Sequence, residues 1–391
     1  MLSRDNHPTV LFLISSEGYF GAENMLVTLA ESLQKQACRC TVGVFSDSRS
    51  PHVEVAEQAR LRGLEVELVP CAGRCDWRAV THIRRLIAKH QADVLHPHGY
   101  KADLYAYAAA RPRRMPIVAT SHNWPNPLWS TRAYAVLDRW VMRSFDRIAV
   151  VSDVVAEIIR RSGVRAEKVR MIFNGIDCER FQSAEATLRH AVVSDDETLV
   201  GFVGRFVPEK GGEILLRAAR MVLREHPQTR FALVGDGPSR AEWEQLAVEL
   251  GIRRQVLFTG VRQDMPGVYA SLDLFVLPSV CEAMPMCLLE AMAAGKAVIA
   301  SRVGAVPKLI DEHTGVLLNP GNTEALAGAI RALLRNPEQR SRFGQNASER
   351  VRQRFSSEAM AAQYRSLYRE VTDQRQNAGE SALALRGEPH V

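Results

Sequence analysis

Short, continuous apolar runs alternate along the chain with longer stretches whose apolar residues recur at helical spacing. The run at residues 10–14 is followed by a stretch in which Met25, Leu26, Leu29 and Leu33 share one helix face. Strands that are apolar throughout are typical of parallel sheets, which are buried on both faces, and parallel strands need a crossover helix between them. The alternation therefore predicts an α/β fold built on parallel sheets with helices on both faces.

The alternation is interrupted once, by a polar segment with weak patterning. We therefore predict an N-terminal Rossmann-like domain over residues 1–176, a linker over 177–197 and a second Rossmann-like domain over 198–355. A final helix with an apolar stripe follows over 356–374. Residues 375–391 carry no such stripe, so a disordered tail is predicted there.

The composition, with 46% hydrophobic and 24% charged residues, is that of an ordinary globular protein. No apolar stretch approaches the roughly 20 residues that cross a bilayer, and the first apolar run is too short for a signal-peptide core. The seven cysteines are scattered, without His or Cys partners at zinc-ligand spacing. We therefore predict a cytoplasmic protein with reduced thiols.

The formal net charge of +6 is unevenly distributed. Residues 1–180 hold 25 Lys and Arg against 19 Asp and Glu, whereas residues 181–391 hold 25 of each kind. A basic first half favours an anionic partner such as a lipid surface, although an ordinary arginine-rich surface would give the same counts. Nucleic acid is not predicted as a partner, because no aromatic-interleaved basic motif or helix-turn-helix pattern accompanies the charge.

Two glutamates stand in the segment SVCEAMPMCLLEAMAAGKAV, residues 279–298. Glu282 follows the strand-like run LDLFVLP, and Glu290 lies in a helical run that Pro285 can open and Gly295 can close. A loop carboxylate and a helix carboxylate can grip a hydroxyl-rich ligand, while the free amides of a helix N-terminus attract an anion. The alternative is two surface glutamates beside a core helix.

Two cations, Arg205 and Lys210, lie in RFVPEKGG, between the apolar run LVGFVG and the next helical stretch. Loops of this kind lie at the carboxyl edge of a parallel sheet, where α/β proteins bind ligands. Two cations beside a helix N-terminus suit a pyrophosphate and would stabilise a departing nucleoside diphosphate. The Walker motif is absent, and ordinary surface cations are the alternative.

Together, E-x7-E and G-R-F-x-x-x-K-G resemble the signatures of the retaining GT-B glycosyltransferases of family 4, over about residues 9–372. The resemblance implies two Rossmann-like domains facing a deep interdomain cleft, with the C-terminal helix crossing back to the N-terminal domain. It implies transfer of a sugar, with retention, from a nucleotide-diphosphate donor in the C-terminal domain to an acceptor in the N-terminal domain. No metal or other cofactor is expected, because Arg205 and Lys210 would supply the positive charge.

The resemblance also implies roles for individual residues of the second half. Glu282 would bind hydroxyls of the transferred sugar, and Glu290 would accept hydrogen bonds from the ribose hydroxyls. Arg205 and Lys210 would hold the diphosphate. The remaining implied donor contacts are the loop and helix-start residues Met284, Pro285, Met286 and Cys287 and, near the nucleoside, Gly235, Asp236 and Val261. Ala283 stands where the family most often has glycine, so no sugar specificity is predicted.

In the first half, SSEGYFGAENML resembles the family's glycine-rich loop, with Phe20 in place of the glycine before Gly21. Amides near Gly21 could touch the donor phosphate or the acceptor; a plain tight turn is the alternative. His122, in IVATSHNW, matches a family histidine close to the transferred sugar and would hydrogen-bond a hydroxyl or help position the acceptor. His96 and His98 have the spacing of a metal chelate, but no acidic or cysteine residue clusters with them, so no metal is predicted.

The predicted function is therefore a glycosyltransferase acting on a saccharide or lipid-linked acceptor, in bacterial-type synthesis of a cell-surface polysaccharide or lipopolysaccharide. The predicted catalytic groups are Glu282, His122, Arg205 and Lys210. The basic first half favours peripheral attachment to the inner face of the cytoplasmic membrane. Three alternatives stay open. A GT-B-shaped nucleotide-sugar epimerase would turn over donor without an acceptor, and a catalytically silent nucleotide-sugar-binding protein would show no turnover. A phosphorylase would need a cofactor lysine in a recognisable pyridoxal site, and the sequence shows none.

Overall fold

The chain divides into two compact units. The structure, a computed structural model, describes residues 7–15, 18–47, 53–73, 76–122, 137, 140–189 and 197–384, with the side chains of 113, 376 and 378–384 outside the description. Unit 1 consists of Met1–Asn174 together with Ser357–Val391, and unit 2 of Gly175–Ser356. Among the described residues, no helix combines the length and the apolar character that crossing a membrane requires.

Unit 1 is built on a parallel sheet whose strand order, within the described residues, is β3-β2-β1-β4-β5-β6-β7. Its strands are β1 (Thr9–Ile14), β2 (Arg39–Ser46), β3 (Glu65–Pro70), β4 (Val94–His98), β5 (Val118–Ser121), β6 (Arg147–Val150) and β7 (Val169–Met171). Its helices up to this point are α1 (Gly21–Lys35), α2 (Glu54–Leu61), α3 (Trp77–Lys89), α4 (Tyr100–Ala110) and α5 (Asp153–Arg161). Every residue of β1 is buried, as the continuous apolar run predicts for a central parallel strand.

Unit 2 repeats the design with the strand order β10-β9-β8-β11-β12-β13 in the part of the chain that is described. Its strands are β8 (Thr198–Val203), β9 (Thr229–Val234), β10 (Val256–Gly260), β11 (Leu274–Leu277), β12 (Ala297–Ser301) and β13 (Gly315–Leu318). Its helices are α6 (Cys178–Gln182), α7 (Gly212–Leu223), α8 (Arg240–Glu249), α9 (Met265–Ser271), α10 (Met286–Ala293), α11 (Val306–Leu309), α12 (Thr323–Arg335) and α13 (Pro337–Arg354). The predicted pair of Rossmann-like α/β domains is confirmed.

The last helix, α14 (Ser357–Ala384), belongs to unit 1. Tyr364 and Tyr368 on its apolar stripe are fully buried. Arg147 of β6 donates to the Glu370 carboxylate, so an ion pair fastens the same helix to the strand beside the edge strand β7. The chain therefore completes the N-terminal domain with its C-terminal helix, as predicted.

The strand order of each unit reverses direction once, between β1 and β4 in unit 1 and between β8 and β11 in unit 2. At such a switch point the connections leave the carboxyl ends of two neighbouring strands in opposite directions, which opens a crevice. The fold therefore directs attention to the loops after these four strands.

Two predicted boundaries differ from the structure. Residues 178–189, which the pattern assigned to a linker, instead belong to unit 2, where α6 and the buried side chains of Phe181 and Leu188 pack. Helix α14 continues to Ala384, through residues assigned to a disordered tail. In both places apolar residues are too sparse to produce a period, although helix formation or packing still occurs.

Candidate functional site

The strongest candidate site lies at the switch point of unit 2. Lys210 ends the short 3-10 helix Pro208–Lys210 in the loop after β8, and Glu282 lies in the loop after β11. The Lys210 Nζ donates a hydrogen bond of 2.6 Å to Glu282 Oε1, and the Ser279 hydroxyl donates to the same oxygen at 2.8 Å. The cation and the acid singled out by the two motifs are therefore direct partners.

This pair is largely withdrawn from solvent, with 22% of the Lys210 side chain and 8% of the Glu282 side chain exposed. Burial acts to lower the pKa of Lys210, but the neighbouring Cys287 and Glu282 outweigh it, so the pKa is raised. Burial also raises the pKa of Cys287 to about 12, so its thiol is neutral at physiological pH and the Glu282 carboxylate is the lasting negative partner. Lys210 is therefore protonated at physiological pH, and its ammonium group is oriented by the hydrogen bond to Glu282.

Backbone contacts hold the two loops together. The Val280 amide donates to the Glu209 carbonyl oxygen at 2.8 Å. Gly211, with φ 72°, lies so close to the other loop that a Cβ atom would be 2.2 Å from the Pro278 carbonyl oxygen. Only glycine permits both the left-handed conformation and this approach. The position of Lys210 relative to the loop after β11 is therefore fixed by backbone.

A second contact supports the far side of the Glu282 loop. The Ala305 amide donates to the Ala283 carbonyl oxygen at 2.8 Å. A Cβ atom on Gly304, whose φ is 52°, would lie 2.0 Å from the Glu282 carbonyl oxygen. Ala283, where the family most often has glycine, is thus tied by its carbonyl to the loop after β12.

Arg205 lies in the loop after β8 but is exposed, and its side chain has no hydrogen bond or ion pair with any residue that the structure describes. Its backbone is nevertheless held, because the next amide, of Phe206, donates to the Asp236 carbonyl oxygen at 2.8 Å. A guanidinium carries five donors in a planar fork that matches phosphate oxygens. Those donors are available to a ligand.

The residues predicted near a nucleoside lie on the loops after β9 and β10. Gly235, with φ 136°, approaches the loop after β8 so closely that a Cβ atom would be 2.0 Å from a carbonyl oxygen there. The Asp236 carboxylate accepts from the Gly237 amide at 2.7 Å and from Arg240 at 2.8 Å, and these bonds lower its pKa. Val261 is 67% exposed. Asp236 is therefore engaged locally, whereas Val261 offers an open apolar surface.

The start of α10 offers backbone rather than side chains. The helix begins at Met286 with Pro285 at its N-cap, and no side chain caps it. The first amides of a helix have no partner within it, so those of Met286 and Cys287 face outward from the helix start. The side chains of Met284 and Met286 are buried. The segment can therefore serve an anion only through its amides and the positive end of the helix dipole.

Glu290, on α10, is buried and accepts a hydrogen bond of 2.8 Å from the hydroxyl of the fully buried Tyr269. Burial raises the pKa of Glu290, while the Tyr269 hydroxyl acts to lower it. Tyr269 thus fixes Oε2 and leaves Oε1 as the other acceptor. Sequence reasoning did not find Tyr269, because nothing in the segment MPGVYAS indicates that its hydroxyl would meet a glutamate 21 residues later.

Gly21 is the first residue of α1, at the switch point of unit 1. The Phe20 amide donates to the Glu23 carboxylate at 3.0 Å, so the start of this helix already has a negative group of its own. Phe20 itself is exposed. The predicted contact of the Gly21 amide with a phosphate would therefore meet the charge of Glu23.

Three histidines lie at the carboxyl ends of β4 and β5. His98 Nδ1 is 3.0 Å from His122 Nε2. Both nitrogens of His96 are engaged, Nδ1 with the Tyr368 hydroxyl at 2.6 Å and Nε2 with the Thr120 hydroxyl at 2.7 Å. Burial lowers the pKa of His122 to about 4 and those of His96 and His98 well below the ordinary value. The cluster is therefore neutral at physiological pH.

One further group of potential metal ligands occurs among the described residues, formed by Glu65, Glu67 and His90. The two carboxylates approach opposite nitrogens of the imidazole, Glu67 at 2.9 Å from Nε2 and Glu65 at 3.4 Å from Nδ1. One ion cannot be bound through both ring nitrogens of a single histidine. Lys89 also pairs with Glu67 at 2.5 Å, so the Glu67 carboxylate already has a cationic partner.

Both units match known glycosyltransferase families. Residues 185–350 match the family described as Glycosyl transferases group 1, and residues 20–180 match Glycosyltransferase Family 4. The D-inositol 3-phosphate glycosyltransferase of Saccharomonospora viridis is 31% identical over 71% of this chain and 70% of its own. The chain belongs to the group 1, family 4 glycosyltransferases, and it is a glycosyltransferase of the GT-B type.

The chain is also similar to a plant transferase and to a solved bacterial structure. The sulfoquinovosyl transferase SQD2 of Arabidopsis thaliana is 31% identical over 67% of this chain, and the chain spans about half, 54%, of the length of that relative. The crystal structure of Anabaena HepE in complex with UDP and glucose superposes with a TM-score of 0.80 at 25% identity, covering 92% of this chain and 99% of that one. These relatives differ in the substrates that their names state.

Proposed function

We propose that this glycosyltransferase moves a sugar from a nucleotide-diphosphate donor to a saccharide or lipid-linked acceptor with retention of the anomeric configuration. The observation that carries the proposal is the Lys210–Glu282 pair at the switch point of unit 2. Arg205, whose side chain has no partner among the described residues, lies in the same loop as Lys210. A pyrophosphate needs cations that the protein orients without neutralising them all. The complex of HepE with UDP and glucose supports this class of ligand.

In this proposal each group of unit 2 has a distinct task. Lys210 and Arg205 stabilise the charge that develops on the departing diphosphate, and the amides at the start of α10 add donors. Glu282 orients Lys210 through Oε1 and uses its second oxygen for hydroxyls of the transferred sugar. Because these cations supply the charge, we expect activity to persist in EDTA. Restoration of a lost activity by Mg²⁺ or Mn²⁺ would contradict this part of the proposal.

The proposed reaction needs no basic residue to receive a proton. The bond between the anomeric carbon and the leaving phosphate oxygen breaks as the acceptor oxygen attacks from the same face. The departing phosphate oxygen takes the acceptor's proton, and the nucleoside diphosphate leaves. His122 hydrogen-bonds a hydroxyl or positions the acceptor. Its pKa of about 4 makes it a poor proton acceptor near neutral pH.

The test is incubation of the protein with UDP-, GDP- and ADP-sugars, with and without candidate saccharide or lipid-linked acceptors. We expect slow hydrolysis of one donor alone and faster transfer when an acceptor is added. Anomeric coupling constants of the product in ¹H NMR report the configuration. Conversion of one sugar nucleotide into another without acceptor would indicate an epimerase, and binding without turnover would indicate a silent binding protein. An inverted product would refute retention.

The excess of positive charge in the first half supports an acceptor at an anionic membrane surface, in synthesis of a cell-surface polysaccharide or lipopolysaccharide. Flotation with vesicles tests this part separately. We expect binding to vesicles that contain anionic lipid at low salt and release as the ionic strength rises. Equal, salt-insensitive binding to neutral and anionic vesicles would contradict a charge-driven attachment.

A further inference from the structure

His122 is held by a second histidine that the sequence motifs do not assign to the site. His98 is the last residue of β4 and only 3% exposed. Its Nδ1 lies 3.0 Å from Nε2 of His122, the residue after β5. The ring planes are inclined by only 27° and the centroids are 5.3 Å apart, so the two rings lie edge to edge, as a hydrogen bond between ring nitrogens requires. This contact occupies Nε2 of His122 and leaves Nδ1 as the ring nitrogen that can reach a ligand.

A single proton is shared in the hydrogen bond, so the tautomers of the two neutral rings are coupled. If His122 donated from Nε2, His98 would carry its own proton on Nε2. That atom is buried and has no hydrogen-bond partner among the described residues. If His98 donates from Nδ1 instead, its Nε2 is a bare acceptor. Buried N–H groups without a partner are rarer in proteins than under-satisfied acceptors, so the second arrangement is favoured.

We propose that His98 is a positioning residue that donates from Nδ1 to His122 and thereby fixes His122 as the tautomer with its proton on Nδ1. His122 then presents an N–H donor to the sugar or acceptor rather than a bare nitrogen. A donor can hold a hydroxyl or phosphate oxygen but cannot take a proton from the attacking hydroxyl. The inference rests on the proposed function for the identity of the ligand, whereas the tautomer itself does not depend on it.

The surroundings of His98 explain how its own ring is oriented. His96, two residues earlier in β4, lies with its ring centroid 4.4 Å from that of His98. His96 is in turn held by Thr120, whose hydroxyl also pairs with that of Tyr364 at 2.8 Å. Phe12 of β1 packs on the His98 ring, with 6.0 Å between the two centroids. The fold therefore restricts the His98 ring by packing and leaves its Nδ1 facing His122.

The direct test is the ¹⁵N spectrum of imidazole groups in protein labelled at histidine, in which protonated and bare ring nitrogens are distinguished. The His122 signals are assigned by their loss in His122→Asn. We expect a proton on Nδ1 of His122 in the unchanged protein. His98→Asn places an amide donor where Nδ1 of His98 was and should preserve this tautomer of His122. In His98→Leu this donor is absent, so His122 should become a mixture of its two neutral tautomers. A His122 proton on Nε2 in the unchanged protein would overturn the inference.

Kinetics provide the second readout. The loss of one hydrogen bond of ordinary strength predicts about a tenfold fall in kcat for His98→Leu, with the KM for the donor little changed and activity largely restored in His98→Asn. Thr120→Val is the matched control, because it removes a partner of His96 but not the bond to His122. We expect it to lower stability and leave the His122 tautomer unchanged. If His98→Asn were as slow as His98→Leu, the positioning role would be refuted. A protein without turnover would refute the proposed function, while the spectrum would still decide the tautomer.

Discussion

Replacing Lys210 with Met tests the candidate site most directly. Methionine keeps an unbranched side chain of similar length and removes only the cation and its donors. In the structure Lys210 Nζ is 2.6 Å from Glu282 Oε1, and the two side chains are 22% and 8% exposed. The substitution therefore has two separable effects, one on stability through the stranded carboxylate and one on the rate through the lost cation.

The effect on stability follows from the burial of the pair. Breaking a fully buried pair costs about 3–5 kcal/mol, and an exposed pair contributes about 0–1 kcal/mol. Glu282 keeps the Ser279 hydroxyl as a partner, and Lys210 is partly exposed, so about 1–3 kcal/mol is expected. For a unit of this size, each kcal/mol lowers the Tm by about 2–4 °C. Combining Lys210→Met with Glu282→Gln removes the stranded charge and should recover most of the loss.

The effect of Lys210→Met on kcat is expected to be larger than its effect on stability, and adding Glu282→Gln should not restore the rate. Removing one preorganised donor from the charge that develops in a transition state costs about 10²–10³ in kcat. Initial rates at saturating donor, measured beside thermal unfolding, separate the two effects. Lys210→Met and the double variant should both be slow, although only the first is clearly destabilised. A Lys210→Met protein that retains kcat within about threefold, or a double variant that recovers both properties, would refute the assignment of Lys210 to the leaving group.

Three further predictions follow from other contacts. Arg205→Ala should lower kcat/KM for the donor by at least tenfold with unchanged Tm, because the guanidinium is exposed and has no described protein partner; a fall in Tm would indicate a structural role. Tyr269→Phe should weaken nucleoside diphosphate binding about tenfold in calorimetry and leave pyrophosphate binding unchanged, because the Glu290 carboxylate loses the hydrogen bond that orients it. Equal losses of affinity for both ligands would place Glu290 away from the ribose. The free energy of unfolding should fall as the pH drops from 6.5 to 5, by up to about 1.4 kcal/mol per pH unit for each buried histidine. Burial lowers the pKa of His96 and His98 in the folded protein, so in this pH range these two side chains bind protons only in the unfolded chain. The slope of Tm against pH should be shallower in His98→Asn, and equal slopes would contradict a neutral buried His98.

The sequence predicts the frame of this molecule well because parallel sheets leave a strong local pattern. Continuous apolar strands such as β1 and the helices between them are visible residue by residue. The boundaries are less visible, since Phe181 and Leu188 pack on unit 2 from a segment with no period of its own. Helix α14 likewise runs on to Ala384 after its apolar stripe ends.

The candidate site is only half visible in the same way. The motifs identify Lys210 and Glu282 but do not show that the two residues, 72 positions apart, are direct partners. Ser279 and Tyr269 carry no motif that distinguishes them from other hydroxyl residues. The H-x-H spacing in a strand places the rings of His96 and His98 on one face, which suggests a metal chelate but does not indicate a contact between His98 and His122. The partners of His96 and His98 lie on β5, directly after β5 and on α14, and only the tertiary structure brings those elements to β4.

The two units place different chemistry at equivalent points of the same topology. At the switch point of unit 2 the protein keeps a buried group charged. Burial alone would lower the pKa of Lys210, but the Glu282 carboxylate at 2.6 Å stabilises its protonated form. At the corresponding edge of unit 1, imidazoles are kept neutral, because burial holds the pKa of His122 at about 4. A cationic site stabilises a departing diphosphate, and a neutral site can orient hydroxyls without competing for their protons. Because burial keeps His96, His98 and His122 uncharged near neutral pH, the proposed transfer of the acceptor's proton to the leaving phosphate is the step that this division of charge favours.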